Sequence, residues 1–106
     1  MNYAKIEQAK KYIAEHYAEI KSFCQVAEYV DMNYEHFLRS FRVAVGITPK
    51  KYLDTVRVQK AHKLLLTTQY KCYSIARLVG LEDDNALYRL FKRMGYKNPG
   101  HYRSGI

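Results

Sequence analysis

Apolar residues recur at steps of three and four along most of the chain, which is the spacing that places them on one face of an α-helix. Residues 3–18 follow this pattern, with lysine, glutamate and glutamine on the other face. No stretch alternates apolar and polar residues as a half-buried strand would. The pattern therefore predicts an all-α fold.

Residues that start and stop helices divide the rest of the sequence into six more helices. Ser, Asn, Thr and Asp are favoured before a helix because their side-chain oxygens accept hydrogen bonds from free backbone amides, and Gly or Asp suits the left-handed backbone after its last turn. The predicted starts are Ser22, Asn33, Thr48–Pro49, Asp83 and Asn98–Pro99, and the predicted turns are Asp31, Gly46 and Gly80. The seven predicted helices span about 3–18, 23–29, 34–45, 49–68, 72–79, 84–94 and 99–103.

Two parts of the chain are nearly the same. RSFRVAVGITPKKY at 39–52 and RLFKRMGYKNPGHY at 89–102 share an arginine, a phenylalanine, a proline and a tyrosine at matching places. Upstream, FCQVAEYVD at 23–31 and CYSIARLVG at 72–80 each place a small alanine four residues before a turn former. Alanine suits a close crossing of two helices, and the turn former suits the chain reversal between them. Each half therefore indicates a helix-turn-helix subdomain, predicted over 1–48 and 69–106 and bridged by a linker helix over 49–68.

The net charge of +8 is unevenly distributed along the sequence. Residues 1–35 hold four Lys and Arg against six Asp and Glu, a net of −2, whereas residues 36–106 hold fourteen against four, a net of +10. Such a basic stretch favours a partner with a phosphate backbone or an anionic membrane surface. A solvated basic surface without a partner is the alternative reading of the charge alone.

Several classes of function are disfavoured by what the sequence lacks. Two cysteines are too few for a disulfide framework, and four scattered histidines have no metal-ligand spacing. No nucleophile and base, and no pair of carboxylates, are spaced for catalysis. No apolar run is long enough for a membrane span or a signal peptide. We therefore expect a cytoplasmic protein that is not an enzyme and needs neither a cofactor nor a metal.

The repeated motifs resemble the DNA-binding domain of the bacterial AraC-type (AraC/XylS) transcription regulators. The resemblance rests on VAEYVDMNYEHFLRSFRVAVGITPKKYL, RVQKAHKLLLTT and SIARLVGLEDDNALYRLFKRMGYKNPGHYR, and it covers nearly the whole chain. It implies that the third and sixth helices, at about 34–45 and 84–94, enter successive major grooves of DNA. Three positions depart from the family pattern: Lys71 replaces a capping serine, Leu81 replaces a phenylalanine, and Gly95 comes one residue early. The last of these leaves the shape of the end of the sixth helix open.

Candidate DNA contacts follow from the faces of these two helices. Phe37, Phe41, Leu87 and Phe91 are predicted to face the core, which turns the residues between them outward. Arginine can bind guanine with two hydrogen bonds, asparagine can read adenine and glutamate can accept from cytosine. The candidate base readers are Glu35, His36, Leu38, Arg39, Asn85, Tyr88 and Arg89, of which all but His36 and Leu38 fall at positions that the resemblance implies for base contact. The candidate phosphate contacts are Arg42, Arg57, Lys63, Lys92 and Arg103, each with a solvated helix face as the alternative.

The predicted function is sequence-specific binding of double-stranded DNA by a transcription regulator. Because the two candidate reading helices differ in sequence, a monomer is expected to bind an asymmetric site, with RNA polymerase as a further candidate partner. The alternative is a helical protein-interaction module, for example one that contacts RNA polymerase, with weak and non-specific affinity for DNA. Whether the chain is a stand-alone regulator or part of a longer one with a sensor domain stays open.

Overall fold

A computed structural model describes residues 2–103 of the chain. These residues form six α-helices and one 3-10 turn, and no strand occurs between Asn2 and Arg103. The helices are α1 (Tyr3–His16), α2 (Phe23–Tyr29), α3 (Tyr34–Val45), α4 (Pro49–Thr67), α5 (Cys72–Leu78) and α6 (Asp84–Arg93), and the turn is Pro99–Tyr102. The all-α prediction is confirmed, and α1, α4, α5 and α6 each end one or two residues earlier than predicted.

The seventh predicted helix is a single 3-10 turn, so the prediction of seven helices is corrected to six and this turn. Asn98 precedes it as expected, and its side-chain oxygen accepts from the Gly100 amide at 2.9 Å. The backbone then bonds three residues apart, from His101 N to Asn98 O at 2.9 Å and from Arg103 N to Gly100 O at 3.1 Å. A glycine in the middle of so short a segment disfavours a longer regular helix.

All five predicted helix starts, including Asn98 described above, carry the side-chain hydrogen bond that their residue type led us to expect. Asn33 and Asp83 accept from the amides of the third residue beyond them, at 3.2 Å and 2.9 Å. Thr48 does the same at 3.2 Å, and Ser22 accepts from Cys24 N at 3.1 Å. Lys71, before α5, makes no such bond. Because Lys71 stands where the family pattern has a capping serine, α5 has no side-chain N-cap.

The turns inside the two helix-turn-helix motifs have the same hydrogen bonds. After α2, Asp31 has a left-handed φ of 55°, and the Met32 amide donates to Ala27 O at 2.9 Å. After α5, Gly80 has a φ of 94°, and the Leu81 amide donates to Ala76 O at 2.9 Å. Both are Schellman motifs, in which a left-handed residue lets the chain bond back over the last helical turn. The helix-turn-helix motif predicted from the repeat is therefore present in both halves. Leu81 occupies the same place in the second turn as Met32 does in the first.

The chain divides between Leu53 and Asp54 into two compact units, and the boundary falls inside α4. The fully buried side chains of the first unit come from α1, α2 and α3, namely Ile6, Ala9, Ile13, Val26, Phe37 and Phe41. Those of the second unit come from α4, α5 and α6 and from Val79, namely Val58, Ala61, Leu65, Ile75, Ala76, Val79, Leu87, Leu90 and Phe91. The finer division at residues 48 and 68 stays a prediction.

The two repeated tyrosines pack beside the repeated phenylalanines. Tyr52 contacts Phe41 with their ring centroids 5.6 Å apart, and Tyr102 contacts Phe91 at 6.1 Å. Tyr102 also packs edge-on to His62 at 4.6 Å, and its hydroxyl accepts from the Lys97 amide at 3.1 Å. Each tyrosine thus adds aromatic area beside the core phenylalanine of its own unit.

Candidate nucleic-acid interface

One face of α3 is buried and the other presents polar side chains. Phe37 and Phe41 are fully buried and meet edge to face at 5.8 Å, which fixes the rotation of the helix about its axis. Glu35, His36 and Arg39 lie exposed on the remaining surface. This is the arrangement predicted for a helix that reads base edges.

Leu38 is the exception among the candidate readers of α3. It is half-buried and packs against the core of the first unit, so it faces outward less fully than Glu35, His36 and Arg39. With Phe23 and Pro49 it lines an open groove of about 490 Å³, which Arg39 and Arg42 also line. Leu38 can therefore offer DNA an apolar edge, such as the contact that a thymine methyl group takes.

The same division of faces occurs on α6. Leu87, Leu90 and Phe91 are fully buried, whereas Asn85, Tyr88, Arg89 and Lys92 are exposed. Tyr88, Arg89 and Lys92 line a second open groove of about 300 Å³ with Tyr96 and Asn98. The second unit thus presents hydrogen-bonding groups and positive charge on one helix face.

Tyr88 keeps its phenolic proton under ordinary conditions. The pKa of its hydroxyl is raised from its usual value, chiefly by the neighbouring Cys72 sulfur and then by partial desolvation and the carboxylate of Asp84. Because its side chain is accessible and protonated, it can donate a hydrogen bond to a base acceptor or a phosphate oxygen.

The candidate phosphate contacts fall into two groups. Arg42, Lys63 and Lys92 are exposed and can reach a partner without rearrangement. Arg57 is half-buried, and burial lowers the pKa of its guanidinium while the negative charge of Asp54 opposes that shift. Arg103 is also half-buried, and its Nη2 donates to the Tyr70 carbonyl oxygen. A phosphate contact by Arg57 or Arg103 would therefore compete with interactions inside the chain.

The end of α6 is regular despite the early glycine. Gly95 has a φ of 81° and donates to Lys92 O at 3.2 Å, and Tyr96 N donates to Phe91 O at 2.9 Å. The Tyr96 ring also packs on Phe91 at 5.4 Å, which completes a Schellman motif with its apolar contact. By contrast, Gly46 directly follows α3 and bonds to Arg42 O. The one-residue shift therefore gives α6 a different form of glycine cap from that of α3, and α6 ends at Arg93.

An ion pair between α4 and α6 was missed by the sequence reasoning. The Asp54 carboxylate accepts from Arg93 Nε at 3.4 Å and from Arg93 Nη2 at 3.3 Å. Asp54 is only 7% exposed, in a stripe of α4 that otherwise holds Val58, Ala61 and Leu65. An acidic residue in an apolar stripe was the sequence signal that could have found it, because a buried carboxylate requires a partner.

The described part of the chain contains neither a membrane-spanning helix nor a metal-binding cluster. No helix of residues 2–103 is long and apolar enough to cross a membrane. Within the same residues, no group of three or more His, Cys, Asp and Glu side chains could hold a metal ion. The helices α3 and α6 are both capped and amphipathic, and each follows a turn after a short helix. The fold therefore defines a protein with two helix-turn-helix motifs.

Comparisons with known proteins agree with this class. A family model described as a helix-turn-helix domain matches residues 26–105. The HTH-type transcriptional activator RhaS of Salmonella schwarzengrund is 32% identical over 104 residues, which cover 98% of this chain and 37% of the activator. The chain belongs to the AraC-type helix-turn-helix family of transcription regulators, as its motifs predicted. It spans about a third of the length of the curated relatives it matches.

Solved structures resemble the chain along nearly its full length. The DNA-binding domain of AdpA, a global transcriptional factor solved in complex with a target DNA, is 29% identical with a TM-score of 0.87, covering 94% of this chain and 90% of that one. The C-terminal domain of the two-component response regulator yesN from Fusobacterium nucleatum is 33% identical with a TM-score of 0.86, covering 97% and 100%. These similarities extend over both units.

Proposed function

We propose that the chain binds double-stranded DNA in a sequence-specific manner and supplies this activity to a transcription regulator. The observation that carries the proposal is the repeated reading helix: α3 and α6 each begin at a capped residue, bury an aromatic face and expose arginine with other hydrogen-bonding side chains. The similarity to a domain solved on its target DNA supports the same function.

Base reading is assigned to the exposed face of each helix. Arg39 and Arg89 are matched residues of the repeat and have the geometry for paired hydrogen bonds to guanine O6 and N7. Asn85 can read adenine, Glu35 can accept from cytosine, and His36 and Tyr88 can donate to base or backbone oxygens. Leu38 contributes an apolar edge, and Arg42, Lys63 and Lys92 neutralise phosphates.

The DNA site is expected to be asymmetric and to be filled by one copy of the chain. Glu35 and Leu38 of the first helix correspond to Asn85 and Tyr88 of the second, so the two helices offer different groups to the bases. A dimeric helix-turn-helix protein presents two identical recognition helices to a palindromic site. This chain carries two different recognition helices, so its site need not be palindromic. Contact with RNA polymerase and a cytoplasmic location remain predictions.

The proposal is tested by selecting bound duplexes from a random pool and comparing the selected sequence with a scrambled one. We expect the selected duplex to bind at least about a thousandfold more tightly. The affinity should also fall as salt rises, with a log-log slope of roughly −0.9 for each phosphate contacted. Equal affinity for selected and scrambled duplexes would favour the alternative of a protein-interaction module with a basic surface.

A further inference from the structure

The only acidic residue of α4 is nearly buried and faces the last turn of α6. The side chain of Asp54 is 10% exposed, and one of its oxygens, Oδ2, accepts from both Nε and Nη2 of Arg93. Both residues belong to the second unit. A nearly buried carboxylate is costly to leave without a counter-charge, which favours its contact with the Arg93 guanidinium.

A second arginine lies close to the same carboxylate. Arg57 follows Asp54 by one helical turn on α4, and the two charges interact while Arg57 is itself half-buried. Asp54 therefore interacts with positive charge both from its own helix and from α6. The Asp54–Arg93 contact thus joins the last residue of α6 to α4.

Arg93 would otherwise add to the basic surface of the reading helix. It stands one turn beyond Arg89 and next to Lys92, both of which are exposed and assigned to DNA. Half of the Arg93 side chain is exposed, so its charge is not hidden from the surface by depth. Its contact with Asp54 engages the guanidinium inside the chain.

We propose that Asp54 is a positioning residue for DNA reading, which holds Arg93 and thereby fixes α6 while withholding one positive charge from the phosphate backbone. This inference rests on the proposed function. A positive charge held away from phosphates lowers affinity for every sequence alike, and a fixed helix favours the sequence that fits it. Asp54 therefore increases the ratio of specific to non-specific binding.

The first test compares two neighbouring positive charges on α6. Lys92→Gln should reduce the steepness of the log-log salt slope on random duplex DNA by about 0.9, because one phosphate contact is lost. Arg93→Gln removes the same charge and should leave that slope unchanged, because Arg93 is engaged with Asp54. Equal loss of slope in the two variants would show that Arg93 contacts DNA and would overturn the proposal.

The second test removes the carboxylate itself. Asp54→Asn keeps the shape of the side chain and releases Arg93, so the salt slope on random DNA should become steeper by about 0.9 and the ratio of specific to random affinity should fall. Glu82→Gln, at an exposed acid of the same unit, changes the net charge equally and is the matched control. If both variants change slope and ratio to the same extent, long-range charge explains the effect and Asp54 has no positioning role.

A measurement without DNA separates this inference from the proposed function. In the NMR spectrum of the free protein, the Arg93 Nε–H group should exchange slowly with water and should lose that protection in Asp54→Asn. Fast exchange in the wild-type protein refutes the pairing whatever the chain binds. If the Arg93 Nε–H group is protected but the protein binds selected and random duplexes equally, the proposed function is refuted. The positioning role of Asp54 in DNA reading is then refuted with it. If Asp54→Asn does not fold, the comparison of Arg93→Gln with Lys92→Gln decides the question.

Discussion

Replacing Arg89 with alanine should remove one base contact and leave the fold intact. The Arg89 side chain is exposed, and no hydrogen bond or ion pair joins it to another residue between Asn2 and Arg103. The residues that fix α6, including the Asp83 cap and buried Leu87 and Phe91, are untouched. We therefore expect the free energy of unfolding to change by no more than about 0.5 kcal/mol, which is typical of a surface substitution.

The loss of binding can then be assigned to DNA contact alone. A good bidentate arginine–guanine pair contributes about 1–3 kcal/mol of discrimination, which corresponds to a loss of about 5- to 140-fold on the selected duplex. Fluorescence anisotropy titrations would measure this on the selected site and on single base-pair variants of it. Discrimination should disappear at one base pair and persist at the others.

Two matched variants make the result decisive. Arg39→Ala, at the equivalent place on α3, should relax discrimination at a different base pair. Lys63→Ala, at an exposed residue of α4 assigned to phosphate, should weaken all sequences by a similar factor. The reasoning is refuted if Arg89→Ala lowers the affinity for selected and random duplexes equally, since Arg89 would then behave like Lys63.

Three further predictions test the local structure and the spacing of the DNA site. Lys71→Ser should supply the missing N-cap of α5, as Ser22 does for α2. We expect the free energy of unfolding, measured in urea, to rise by about 1 kcal/mol. No gain would mean that the start of α5 needs no side-chain acceptor. Gly80→Ala should lower the free energy of unfolding by about 1–2 kcal/mol, because the Gly80 φ of 94° is strained for a residue with a side chain. Asp31→Ala tests the same position of the first motif, where φ is 55°. An unchanged denaturation midpoint for Gly80→Ala would contradict the argument from backbone strain. Inserting about five base pairs between the two contacted segments should abolish most of the specific affinity, because half a turn of DNA places them on opposite faces; near-complete retention in the same anisotropy assay would exclude a fixed spacing of the two readers.

The sequence determined the features that depend on short-range hydrogen bonds. The caps at Asn33, Thr48 and Asp83 bond to amides three residues away, so residue type and position were enough to predict where α3, α4 and α6 begin. The turn at Asp31 follows from backbone preferences of the same local kind. Because the helices are amphipathic, periodicity also predicted that Phe37, Phe41, Leu87 and Phe91 are buried. The repeat of these local signals was enough to predict the family.

The tertiary structure decided which charged and apolar side chains are available to a partner. Periodicity gives only the direction of Leu38 around α3, whereas its half-buried position depends on the packing of the first unit around it. Arg103 is engaged with the Tyr70 carbonyl, 33 residues away, and Arg93 with Asp54, 39 residues away. Contacts over such separations depend on which distant segments folding brings together. A local pattern can therefore indicate that a buried Asp54 needs a partner, but it cannot identify that partner. A count of basic residues therefore predicted the sign of the partner's charge, and the folded chain determined which of those residues remain exposed to meet it.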